Sequence, residues 1–97
     1  MPNITEKEWR KQVHAALQMP RAFTRDEQRY HLSKWYEIGF DVETIKLAYS
    51  YDCKKTNSSK GSLMDRPSGW NFLDRILGWI NIHGAPALQW NIDNLEV

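Results

Sequence analysis

Residues 24–50 read TRDEQRYHLSKWYEIGFDVETIKLAYS, and this stretch decides the fold. It opens on Thr24-Arg25-Asp26-Glu27, a T-x-x-E box. In such a box the threonine hydroxyl accepts an orphan N–H of the first helical turn, and the glutamate reaches back to the threonine's own N–H. Leu32, Trp35 and Ile38 follow as an apolar stripe at helical spacing, with Tyr36 alongside. Gly39 then supplies the residue type that most easily takes the left-handed conformation ending a helix. Asp41 is placed to cap a second run, in which Val42, Ile45, Ala48 and Tyr49 recur at helical spacing until the pattern fades near Cys53. Period-two alternation is absent here and throughout, and no Asn-Gly or Asp-Gly hairpin turn occurs.

The flanks repeat this grammar. Toward the N-terminus, Thr5-Glu6-Lys7-Glu8 is another capping box, and Trp9, Val13, Ala16 and Leu17 fall on one face behind it. That helix is expected to stop before Pro20, because the residue preceding a proline avoids helical geometry. Toward the C-terminus, residues 54–67 are polar and hold Lys54, Lys55, Lys60, Gly61 and Pro67, a composition expected of a flexible loop. A further helix is expected from Ser68, its N-cap, through Trp70, Phe72, Leu73, Ile76, Leu77, Trp79 and Ile80 to a stop at Gly84. It is apolar over most of its circumference, so it is either central in the core or covered on a second face by a partner. Residues 85–97 are expected to form an extended or poorly ordered tail, with at most a short docked turn at 88–90. The expected architecture is all-α: a single domain over residues 1–97, a compact bundle of about four helices with a long basic loop before the last main helix.

Composition bounds the function. The apolar fraction of 41% and charged fraction of 26% are those of an ordinary globular chain. Five Trp, four Tyr and three Phe in 97 residues are enough to fill most of a small core, with rings to spare for a binding face. A net charge of +1 excludes the broadly basic footprint of a typical nucleic-acid binder, so any DNA contact must use a local patch. The lone cysteine, Cys53, forbids an intrachain disulfide and fits a reducing compartment. No apolar run approaches the ~20 residues of a membrane span. The N-terminus lacks the apolar core of a signal peptide, so a cytoplasmic protein is expected.

The local patch exists. Lys54, Lys55, Lys60 and Arg66 lie within thirteen residues against one acid, Asp65. They adjoin a helix that carries Trp70, Arg75 and Trp79. Cations beside aromatic rings are what single strands use, the charges tracking the backbone and the rings stacking on bases. The alternatives are a solvated linker for the lysines and core packing for the rings. Trp35, on the stripe with Leu32 and Ile38, is expected in the core.

Catalysis is not expected. His14, His31 and His83 are scattered, no H-x-x-x-H or C-x-x-C spacing exists, and surface histidines are the default, so neither metal nor cofactor is implied. Cys53 lacks the base and orienting group that would make it a nucleophile and reads as a small buried or half-buried thiol. Asp26, Glu27, Asp41 and Glu43 sit where helix starts favour negative charge. No phosphate-cradling glycine loop, G-x-S-x-G or Asp-rich metal loop is present.

Read from Thr24 onward, the chain resembles the DnaD-like (DnaB/DnaD C-terminal) domain of bacterial and phage replication-initiation proteins. The shared pattern is a T/S-x-x-E helix start, a Trp, "GF", an acid with I-x-x-A, a variable loop, then an aromatic–"IL"–aromatic helix ending in Gly. Thr24, Glu27, Trp35, Gly39, Phe40, Glu43, Ile45, Ala48, Phe72, Ile76, Leu77 and Gly84 carry it over about 60 residues. Within the last helix the family motif is Y-x-x-x-I-x-x-x-W. Phe72 stands for its Tyr, Ile76 for its Ile and Ile80 for its Trp, with Trp79 one residue early and so rotated by about 100°. The resemblance implies a non-enzymatic protein that binds DNA, self-associates and helps load the replicative helicase during primosome assembly. Implied partners are single-stranded DNA rather than a specific duplex sequence, other replication-initiation proteins and a second copy. The alternative is a protein-interaction or self-association module without direct DNA contact.

Overall fold

The computed structural model describes residues 3–18, 26–56 and 68–95. All regular structure in them is helical: α1 (Glu6–Ala16), α2 (Asp26–Ile38), α3 (Val42–Thr56), α4 (Ser68–His83) and α5 (Ala85–Asp93). None of these is long and apolar enough to cross a membrane. The chain divides into two units, Met1–Lys46 and Leu47–Val97, with α3 running through the division.

In the first unit the caps form as the sequence dictates. The Glu8 N–H donates to Thr5 Oγ1 at 3.3 Å, and the Thr44 N–H donates to Asp41 Oδ1 at 2.8 Å. Trp9, Val13 and Leu17 of the α1 stripe are buried, as are Leu32 and Trp35 of α2. Ile38 departs from its stripe and is 48% exposed. Gly39 takes φ 108° and returns its N–H to the Trp35 carbonyl at 3.1 Å, ending α2. That turn brings the Phe40 carbonyl to Trp9, whose Nε1–H donates to it at 3.0 Å inside the core. A second pin joins α1 to α2: Arg10 pairs with Glu6 at 2.9 Å and donates to Ser33 Oγ at 2.6 Å. His31, expected at the surface, is buried beside Trp35, their ring centroids 5.6 Å apart. Of the second box, Asp26 and Glu27 stand in the first turn of α2, and Thr24 lies outside the described residues.

The second unit corrects two expectations. Residues 85–93 are not tail but helix α5. Gly84 ends α4 with φ 94° and an N–H to the Ile80 carbonyl at 2.7 Å, and Pro86 then stands in the first turn of α5. Proline's fixed φ suits a helix start, where its missing N–H costs nothing. Leu88, 3% exposed, buries the inner face of α5. The other correction concerns α3, which continues to Thr56 and so takes Lys54 and Lys55 out of the expected loop. The fading apolar pattern has a cause: the buried position after Ala48 is Asp52, with no exposed surface. The rest of the expected loop, 57–67, lies outside the described residues.

Burial sorts α4 into two faces. Trp70, Leu73, Ile76, Leu77 and Ile80 are all at most 6% exposed. Asn71, Arg75, Gly78, Trp79 and Ile82 lie on the exposed side. The 100° rotation read from the sequence is visible here, with Ile80 in the core and Trp79 36% exposed.

Candidate binding cleft on α4 and α5

The second unit carries an open cleft of about 300 Å³, near the lower end of the range for ligand pockets. Phe72, Arg75, Ile76 and Trp79 of α4 form one wall, Leu88 and Asn91 of α5 the other, and Tyr51 of α3 completes the lining. The spacing 72, 75, 76, 79 is one helical face, the i, i+3, i+4, i+7 pattern. Arg75 and Trp79 therefore project side by side, the cation one turn before the ring. The Trp79 indole leans on His83, with centroids 4.4 Å apart and planes at 35°. Behind the lining, Lys54 donates to the Ile92 carbonyl, and Asn91 Nδ2 donates to the Ala87 carbonyl at 2.9 Å. A cation at the end of a helix complements both its orphan carbonyls and its dipole, so Lys54 pins the end of α5 to α3.

The expected contact residues separate accordingly. Arg75 and Trp79 are brought together at the cleft. Trp70 is not, being 1% exposed: it sits on the same stripe as Leu73 and Leu77, and no base can stack on a sealed ring. Lys54 is half-buried and engaged by α5, while Lys55 is exposed near the end of α3. Lys60 and Arg66 lie outside the described residues. Of the motif positions, Phe72 and Ile76 line the cleft and Ile80 belongs to the core. Tyr51, Leu88 and Asn91 were not foreseen. The signal for the last two was the helical spacing of 88 and 91 behind a proline suited to start a helix.

On α3, burial chiefly pushes the Tyr49 hydroxyl and the Cys53 thiol above their ordinary ranges, and nearby Asp52 acts in the same direction. The hydrogen bond between them raises Tyr49 further and partly offsets the rise at Cys53. The thiol is thereby kept protonated and poorly nucleophilic. Among the described residues no three His, Cys, Asp or Glu side chains are grouped to hold a metal ion. The cleft's lining is largely apolar, with the side chain of Arg75 among it.

A scan against protein-family models finds no match for this chain, and comparisons with curated proteins and with solved structures find none either.

Proposed function

We propose that the chain is a non-catalytic binding module that engages single-stranded DNA along α4, of the kind that serves replication initiation through primosome assembly and helicase loading. The observation that carries this reading is the pairing of Arg75 with the half-open Trp79 ring at one cleft. A guanidinium meets a phosphate with directed, charge-assisted hydrogen bonds. An exposed indole stacks on a base for about 1–3 kcal/mol whatever the base is. The ordered DnaD-like residues of the sequence support the replication context.

Charge sets the expected mode of binding. The described part of the second unit holds Lys54, Lys55 and Arg75 against Asp52, Asp74 and Asp93, so its net charge is zero. Stacking must then supply much of the affinity, with few phosphates neutralised. Each phosphate contact on a single strand contributes a slope of about −0.7 to log K against log salt. Anisotropy titration of a labelled oligo-dT at several salt concentrations tests the reading. Binding at ~50 mM salt with a slope between about −0.7 and −2 is expected, lowered in magnitude by Arg75→Ala. No binding at the lowest salt would remove it.

One observation favours a second reading, a protein-interaction or self-association surface without DNA contact. Ile82 is 79% exposed and Trp90 65% exposed, and tryptophan is enriched where proteins meet. Sedimentation equilibrium tests the self-association part of this reading: a strict monomer at high concentration argues against it and leaves a hetero-partner as the remaining form.

A further inference from the structure

Residues 75, 79 and 83 follow one another at four-residue steps along α4, so their side chains form a ladder up one face of the helix. Trp79 is the middle rung. The His83 imidazole stands with its ring centroid 4.4 Å from that of the indole and the two planes 35° apart. That is the close end of the range for packed ring pairs. Two rings set edge to edge in one plane could not bring their centroids so near, so the imidazole covers one face of the indole. Arg75 approaches from the other direction, one turn before Trp79. His83 is exposed in the last turn of α4, where a histidine also suits the helix dipole. What the dipole does not require is a ring laid against Trp79.

Resting on the strand-binding reading above, we infer that His83 is the positioning residue of this site: it backs the Trp79 indole and turns the other face of that ring to the strand. A partly exposed indole left to itself samples several staggered rotamers, and stacking on a base must freeze one of them. A ring already packed on one face has lost that freedom before the strand arrives. The covering also sets how many bases the ring can hold. An indole with both faces open can be clasped between two bases, whereas one covered face leaves room for a single base. His83 acts through Trp79 and touches neither base nor phosphate.

Anisotropy titration of labelled oligo-dT at ~50 mM salt tests this on the full chain, with His83→Ala and His83→Phe beside the parent. Position 83 is exposed, so both variants are expected to fold. His83→Ala should bind about two- to tenfold more weakly, the effect of having to order one large side chain on binding. His83→Phe keeps a ring at 83 without the charge or hydrogen bonds of imidazole, and should return to within about twofold of the parent. Both should keep the parent's salt slope, because no phosphate contact is lost. In the strand-free chain, the order parameter of the Trp79 indole N–H should fall in His83→Ala and recover in His83→Phe. A His83→Ala that binds like the parent, or leaves the indole as ordered as before, overturns the role of His83 while strand binding stands. A slope smaller in magnitude by about 0.7 shows that His83 meets a phosphate itself, and also overturns it. So does a His83→Phe as weak as His83→Ala, since the ring is then not what matters. Failure of the parent itself to bind the oligonucleotide rejects the strand-binding reading and this inference with it.

Discussion

Leu88→Ala probes the element on which the cleft depends. Leu88 is 3% exposed and is the buried anchor of α5, a helix of nine residues. A helix that short is not stable alone and holds only by packing. Leucine-to-alanine changes in cores cost about 2–5 kcal/mol, the larger values belonging to sites that leave a closed void. Here the leucine lines an open cleft, so the space left behind joins the cleft rather than forming a sealed cavity. The cost should therefore fall near the low end, about 2–3 kcal/mol. With a urea m-value of about 1–2 kcal/mol/M for a chain of this size, the midpoint should drop by roughly 1–3 M. Urea titration followed by far-UV circular dichroism measures it, with Gln89→Ala on the exposed face of α5 as the control. A midpoint for Leu88→Ala within about 0.3 M of the parent, a small fraction of the m-scaled cost, would mean that α5 is not docked and that the cleft lacks its second wall.

Two further predictions concern the described units separately. Trp9→Phe should destabilise the chain by about 2–4 kcal/mol in the same assay, because it leaves the Phe40 carbonyl without its donor and opens space in the core. A loss under about 0.5 kcal/mol would show that this buried hydrogen bond, ordinarily costly to leave unmade, does not hold the first unit together. Stability should also fall as pH rises from the ordinary thiol range near 8.5 upward. The folded chain holds its Tyr49 and Cys53 protons to higher pH than the unfolded chain does, so alkali favours unfolding. Below that range their contribution is fully present. Urea midpoints between pH 7 and pH 10 should decline less steeply in Cys53→Ser, and an identical decline would discount the pair.

How much of this the sequence disclosed depended on the kind of signal. Caps and stops that rest on one residue's stereochemistry were legible: Thr5, Asp41, Gly39 and Gly84 all act as their side chains or lack of one require. The end of α3 was not, because a buried acid at 52 interrupts the apolar pattern that marks a helix face. Helix α5 was not legible because Gly84 marks a stop, whereas the signal that a new helix begins is the single residue Pro86, whose fixed φ suits a first turn. Side-chain fate was harder still. Trp70 and Trp79 carry the same chemistry nine residues apart, and nine residues turn a helix by two and a half turns, placing them on opposite faces. Only packing reveals which face is inward. Arg75 could be named from the sequence, whereas its position beside Trp79, Tyr51 and Asn91 is a property of the folded unit.

The most direct measurement follows the five tryptophan indole N–H signals by ¹⁵N nuclear magnetic resonance as oligo-dT is added at low salt. The Trp79 signal is expected to shift progressively with saturation, while those of sealed Trp9, Trp35 and Trp70 stay in place. A Trp79 signal that stays in place while the oligonucleotide binds elsewhere, or is not bound at all, would contradict the assignment of α4 as the strand-binding face.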